Sequence, residues 1–137
     1  MAGQAPKLER LPIRSSEDIV LVRQTVRSRA VESGFSLVDQ TKIVTAASEL
    51  ARNTLIYGGG GFAEVEAFEK NGRPALRLVF EDHGPGIPDI VKALQDGYTT
   101  GSGLGLGLGG AKRLSNEFEI RSKPGEGTRV MITRWKP

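Results

Sequence analysis

The stretch DGYTTGSGLGLGLGGAKRL, residues 96–114, places six glycines among the ten residues from Gly101 to Gly110. Glycine has no Cβ atom, so backbone N–H groups in such a loop can approach phosphate oxygens closely. The residues from Gly107 onward predict a helix, whose N-terminus would add unpaired N–H donors and the positive end of its dipole. The stretch therefore predicts a nucleotide-binding loop, with a flexible loop that binds nothing as the alternative.

The glycines do not match the better-known phosphate loops. No G-x-x-x-x-G-K-[ST] sequence occurs, so the loop is not a Walker A motif. A G-x-G-x-x-G pattern is present at Gly105, Gly107 and Gly110, but DGYTTGSG precedes it instead of the apolar strand that a dinucleotide-binding fold requires. The HRD, DFG and APE elements of protein kinases are absent as well.

The composition is that of one globular domain. The chain has 137 residues, 38% of them hydrophobic and 26% charged, and it lacks cysteine. The N-terminus has no apolar signal-peptide core and no apolar run reaches the ~18 residues that span a bilayer, which predicts a cytoplasmic protein without a membrane segment. The net charge of +3 is scattered, which favours a solvated surface or an acidic partner over nucleic acid.

The order of predicted elements is β-α-α-β-β-loop-α-β-β. Apolar residues at helical spacing predict two helices that start at Ser15 and Ser36, and Asn71-Gly72 between alternating runs predicts a hairpin turn. Residues 7–14, KLERLPIR, could form an edge strand, because Pro12 has no backbone N–H to donate to a second neighbouring strand. Segregated helices and strands predict an α+β two-layer sandwich, with helices on one face of a largely antiparallel mixed sheet. We expect residues 1–10 to be a flexible segment and 11–137 to form the single domain.

The predicted second helix carries two polar residues on one face. Glu49 and Asn53 in SELARN are four residues apart and are therefore neighbours on a helix. A carboxamide oxygen suits Mg²⁺, which prefers oxygen ligands and keeps substrate phosphates in its shell, and a nearby carboxylate can take a proton. The alternative is a surface glutamate beside a helix-weakening asparagine.

An acid ends the second strand of the predicted hairpin. Leu76, Leu78 and Phe80 share the apolar face, and alternation puts Asp82 on the same face, just before the turn HGPG. A carboxylate there can accept a hydrogen bond from the amino group of a base, with ordinary turn chemistry as the alternative. Thr128 shares the inward register of the last strand.

Four motifs in this order resemble the ATP-binding domain of the GHKL superfamily, which includes gyrase-type ATPases, Hsp90, histidine kinases and MutL. ELARN is similar to its N box, DHGPG to its G1 box, GSGLGLG to its G2 box and GEGT to its closing element. The bare single domain with SELARN, EDHGPGI and GLGLGLGGAKRL resembles the anti-sigma regulatory serine kinases, in particular the RsbT-type switch kinases of the stressosome.

The resemblance implies a role for each matching residue. Asn53 would coordinate Mg²⁺ at the ATP phosphates, and Asp82 with Thr128 would bind the adenine. Glu49 would be the general base or a carboxylate that orients the substrate hydroxyl. At Gly84 and Gly86 the backbone would pass close to the base. The backbone of the G2 motif would fold over the phosphates at Gly101, Gly103, Leu104, Gly105 and Gly107.

The implied function is a serine/threonine protein kinase that uses ATP and Mg²⁺. Its expected substrates are STAS-domain scaffold and antagonist proteins, after which it would bind and activate a PP2C-type phosphatase in partner switching. The alternative is an anti-sigma factor that sequesters a sigma subunit with little catalysis. Only fourteen residues, Ile87 to Thr100, separate the G1 and G2 motifs, which argues against gyrase or Hsp90 chemistry. His83, the only histidine, is expected to face solvent in its turn.

Overall fold

The computed structural model describes residues 7–94 and 107–137. Helices and strands follow the predicted order, and the α+β class is confirmed. A short additional helix, capped by Asp89, lies within the predicted loop. The elements are β1 (Lys7–Ile13), α1 (Ser16–Glu32), α2 (Leu37–Ile56), β2 (Gly61–Lys70), β3 (Arg73–Asp82), α3 (Ile90–Ala93), α4 (Leu108–Arg113), β4 (Glu117–Lys123) and β5 (Gly127–Trp135).

The strands form one sheet in the order β1-β2-β3-β5-β4. Every pairing among the described strands is antiparallel, so the predicted parallel component of a mixed sheet is not found there. β1 lies at an edge, as the proline in it predicted. Residues 7–10, which we expected within a flexible N-terminal segment, instead belong to this strand because they pair with residues 64–67 of β2.

Local sequence explains most element boundaries. Asn71 and Gly72 both have positive φ, at 52° and 79°, and close the predicted two-residue hairpin between β2 and β3. Ser15 and Ser36 cap α1 and α2, because each side chain accepts a hydrogen bond from the N–H of the residue three positions later. Gly34 follows α1 with φ +80°, the left-handed conformation that commonly ends a helix.

The hydrophobic core lies between α1 and α2 and one face of the sheet. The apolar face of α2 buries Ile43, Ala46, Ala47 and Leu50, and Leu55 is partly covered. In β3, Leu76, Leu78 and Phe80 point into the core, and Asp82 continues that register. The fold thus delivers one carboxylate to the edge of an apolar interior, where an unpartnered charge is costly. No helix within the described ranges is long and apolar enough to cross a membrane.

The opposite face of the sheet carries much of the basic charge. Arg10 contacts Glu64, Arg77 contacts Glu66, and Arg129 contacts Glu81. Guanidinium groups also lie over the rings of Phe62 and Phe68, at 4.2 and 4.5 Å from the ring centres. The positive charges of this face are therefore interleaved with carboxylates and aromatic rings.

Candidate functional site

A cleft opens between α2 and the ends of β3 and β5, on the face of the sheet that the helices cover. Apolar walls surround a small set of polar groups, which is the usual composition of a small-molecule site. The walls include Leu50, Phe80, Ile87, Leu108 and Val130, and the polar lining includes Asn53, Thr54, Tyr57, Asp82 and Thr128. The structure therefore brings together three of the polar residues that the sequence singled out.

Asp82 lies at the inner end of the cleft and is 8% exposed. Burial raises the pKa of its carboxyl group, and backbone N–H groups of Gly84 and Thr128 oppose that rise by hydrogen bonding to the ionised form. The Gly84 N–H lies 2.9 Å from Oδ1. Because few donors compensate this carboxylate, it remains able to accept a hydrogen bond from a ligand.

Glycines behind Asp82 make room for its side chain. A Cβ atom on Gly58 would lie 2.3 Å from Cγ of Asp82, and one on Gly84 would lie 2.7 Å from Cα of Gly58. Gly58 is the first of the four consecutive glycines that follow Tyr57, the C-cap of α2, and the sequence analysis gave it no role in the site. Its role depends on a contact across the fold, and the length of the glycine run was the one available signal.

Contacts within the protein itself also favour glycine at position 86. Its φ is +78°, and a Cβ atom would lie 2.2 Å from the carbonyl oxygen of Lys123. Gly86 lines the cleft as well, whereas Gly84 packs against Gly58 behind the carboxylate. The expectation that both glycines let the backbone pass a base stays a prediction.

Thr128 lies opposite Asp82 in the pairing of β3 with β5. Its hydroxyl oxygen is 2.8 Å from that of Ser122, a residue that the sequence analysis did not single out. Ser122 donates its only hydroxyl proton to the carbonyl of Gly127 and accepts the N–H of Ile87. Thr128 must then be the donor to Ser122, which leaves lone pairs of its oxygen as acceptors. Asp82 and Thr128 together therefore suit a ligand that presents an amino group.

Glu49 and Asn53 line adjacent depressions on α2. Asn53 faces the cleft, and Glu49 lines a groove between α2 and α4 together with Thr45 and Arg52. Glu49 and Asn53, one helical turn apart on α2, therefore line two different depressions.

Gly107 is the part of the glycine motif that the structure describes. It caps α4 with φ +66°, and a Cβ atom there would lie 2.6 Å from Oε2 of Glu49. The left-handed backbone favours glycine here, and a Cβ atom would also lie only 3.1 Å from Cβ and Cγ of Glu49. The other predicted phosphate-loop positions, Gly101, Gly103, Leu104 and Gly105, lie outside the described residues.

Comparison with known families agrees with this geometry. Residues 38–137 match the family described as histidine kinase-, DNA gyrase B-, and HSP90-like ATPase. The chain belongs to this family. Its members are the GHKL ATP-binding domains that the four motifs resemble, so the recognition from sequence is confirmed.

Relatives narrow the activity within the GHKL family. The serine/threonine-protein kinase RsbT of Bacillus subtilis (strain 168) is 48% identical over 123 residues, which cover 90% of this chain and 92% of the relative. An anti-sigma F factor of Thermoanaerobacter sp. (strain X514) is 29% identical, and the alignment covers 90% of this chain and 89% of the anti-sigma factor. The protein is therefore an ATP-binding serine/threonine protein kinase.

A solved structure supports the fold. The crystal structure of the RsbU and RsbW domains of a Mycobacterium tuberculosis protein superposes with a TM-score of 0.64 at 23% identity. The match covers 99% of this chain and 34% of that one. At this identity, the similarity establishes the GHKL architecture alone.

The polar groups that line the GHKL cleft are chemically suited to bind a nucleotide together with Mg²⁺. Asn53 provides a hard carboxamide oxygen, and Mg²⁺ commonly takes only one or two protein ligands when phosphates supply others. The described residues contain no group of three or more carboxylates or histidines that could hold a metal alone. A metal at this site would therefore depend on the nucleotide.

As the pH is lowered, we expect the affinity for ATP to begin to fall at a higher pH than it would with an aspartate of ordinary pKa. Because burial raises the pKa of Asp82, its carboxylate protonates as the pH drops through that raised value and accepts more weakly. Calorimetric titrations with ATP across this range should show weakening in the wild-type chain and a flatter profile in Asp82→Asn. Parallel profiles for the two proteins would contradict the assignment.

Proposed function

We propose that this kinase transfers the γ-phosphoryl group of magnesium ATP to a serine or threonine of a STAS-domain protein. The observation that carries the proposal is the placement of Asn53 and Glu49 one helical turn apart, the first in the Asp82 cleft and the second in the groove beside α4. This arrangement separates a nucleotide side from an acceptor side. The RsbT similarity supports the choice of substrate class.

Each side of the site has a distinct task in the proposed reaction. Asp82 and Thr128 accept hydrogen bonds from the adenine edge, and the apolar walls exclude water from the base. Bound Mg²⁺ would supply charge neutralisation at the phosphates, with Asn53 as its protein ligand. Glu49 orients the acceptor hydroxyl and takes its proton, which is the positioning that phosphoryl transfer mainly requires.

The acceptor would approach through the groove between α2 and α4. Gly110 lines this groove, and among the described residues the nearest atom to a Cβ there would be Nη2 of Arg113, at 3.9 Å. The described residues therefore leave open space beside this position. Arg52 on the rim offers a positive charge to an incoming acidic segment.

A partner-switching role completes the proposal. Once its STAS substrate is phosphorylated, the kinase would leave it and bind a PP2C-type phosphatase, which it activates. The two partners would compete for one surface. A nucleotide-dependent anti-sigma factor is the second candidate, because anti-sigma F factors align over 90% of this chain.

Incubation with γ-labelled ATP, Mg²⁺ and a STAS-domain protein tests the proposed reaction. We expect label on a serine or threonine of the substrate, loss of the kinase from that substrate, and binding to a phosphatase regulatory domain in a pull-down. Absence of label together with tight, ATP-dependent capture of a sigma factor would favour the second candidate and contradict the proposal.

A further inference from the structure

One side chain joins the C-terminal end of α4 to the N-terminal part of α2. Arg134 of β5 donates from Nη1 to the carbonyl of Leu114, at 2.8 Å, and from Nη2 to Oδ1 of Asp39, at 2.6 Å. The side chains of Arg134 and Asp39 are only 12% and 13% exposed. Leu114 is the C-cap of α4, and Asp39 lies in the first turn of α2.

Other hydrogen bonds hold the same junction to the sheet but not to α2. The N–H of Asn116 donates to the carbonyl of Thr133, and the N–H of Trp135 donates to Oδ1 of Asn116. These bonds fix the start of β4 beside β5. Arg134, which lies between the two β5 residues, adds the connection to α2 through its side chain.

The other end of α4 meets the proposed catalytic glutamate. Gly107 packs directly on Glu49, and buried Ala46 and Ala111 lie along the neighbouring stretches of α2 and α4. From Gly107 to Leu114 is only about 10 Å of helix at the usual rise. A shift of the Leu114 end would therefore move Gly107 relative to Glu49.

The chemistry of the link favours a geometric role over a purely stabilising one. Hydrogen bonding from Arg134 lowers the pKa of Asp39, so the pair stays ionised at neutral pH. A buried ion pair is often no more stabilising than apolar residues of similar size, because both charges lose their water. The planar guanidinium nevertheless fixes two acceptors at defined positions, which an apolar contact does not do.

We propose that Arg134 is a positioning residue for phosphoryl transfer, which holds α4 against α2 so that Gly107 stays seated on Glu49. The inference rests on the proposed role of Glu49. It predicts that loosening Arg134 lowers the rate of transfer by a larger factor than it weakens nucleotide binding, because Asp82 and Asn53 do not lie on α4.

A double substitution separates positioning from stability. Arg134→Met alone should lower the melting temperature, because it leaves Asp39 as a buried charge without its partner. Adding Asp39→Asn removes that charge and should restore most of the melting temperature. The double variant should still show a kcat lowered by about tenfold to 100-fold, as small misplacements do, with the Kd for ATP raised by a smaller factor than kcat is lowered. Arg134→Lys should have a kcat between those of Arg134→Met and wild type, because a single ammonium group cannot hold two acceptors as the planar guanidinium does.

Hydrogen exchange gives a readout that does not depend on activity. The N–H of Ala111 bonds to the carbonyl of Gly107, and its exchange should speed up about tenfold in the double variant if α4 is loosened. Glu66→Gln with Arg77→Met, which removes an ion pair on the opposite face of the sheet, should change neither readout and serves as the control.

The possible outcomes are distinct. Wild-type kcat and wild-type exchange in the double variant would overturn the inference while the proposed function stood. A wild-type chain that transfers no phosphate would contradict the proposed function instead, and the exchange of Ala111 would still decide whether Arg134 fixes α4.

Discussion

Asp82→Asn is expected to weaken ATP binding by about 100-fold without unfolding the protein. The buried carboxylate is the charged acceptor at the inner end of the cleft, and hydrogen bonds to charged groups contribute about 1.5–3 kcal/mol. The amide keeps an oxygen for the Gly84 N–H and avoids the cost of burying a charge. Because burial raises the pKa of Asp82, the ionised side chain disfavours folding at neutral pH, so the variant should melt at or above the wild-type temperature.

The matched control is Glu81→Gln, one residue earlier on the same strand. Glu81 points to the other face and pairs with Arg129 at 3.4 Å on a partly exposed surface, where ion pairs contribute little. It should bind ATP as wild type does. Equal affinity of Asp82→Asn and the wild-type chain, measured by calorimetry, would show that the carboxylate does not hold the base.

Glu49→Gln is expected to leave ATP binding within about twofold of wild type and to lower phosphoryl transfer by about 10²–10⁴-fold, the usual contribution of a general base. The substitution changes one oxygen to an amide nitrogen and keeps the packing of the side chain on Gly107. Single-turnover transfer of label from ATP to the STAS substrate measures the effect on chemistry, and a fluorescent nucleotide titration measures binding separately.

Glu17→Gln, in the exposed first turn of α1, is the control for a lost surface carboxylate and should transfer normally. If Glu49→Gln also transfers label at the wild-type rate, the glutamate is not the base. The kinase activity would stand, but the separation of a nucleotide side and an acceptor side on α2 would have lost its chemical reason.

Local rules accounted for most of the fold. The Asn71-Gly72 turn, the serine caps and the alternation that turns Asp82 inward depend on neighbouring residues and on fixed backbone periods, so the sequence alone could predict them. The same periods placed Glu49 and Asn53 one turn apart. They could not show that the two side chains line different depressions, because that depends on where α4 packs.

Contacts between distant segments were not predictable in this way. Gly58 is required by the side chain of Asp82, which is 24 positions away in the printed sequence. Arg134 likewise reaches Asp39 across 95 residues. Such pairings become visible only when the sheet order is known, because no local pattern in either segment requires its partner.

The most direct test of the account is the discrimination between adenine and guanine. Asp82 and Thr128 present acceptors, which suit the amino group of adenine and repel the carbonyl oxygen that guanine carries at the same position. Calorimetry of the wild-type chain with Mg²⁺ should show ATP binding about 100-fold tighter than GTP, with most of that preference lost in Asp82→Asn. Equal binding of the two nucleotides, or no binding of ATP at all, would contradict the account.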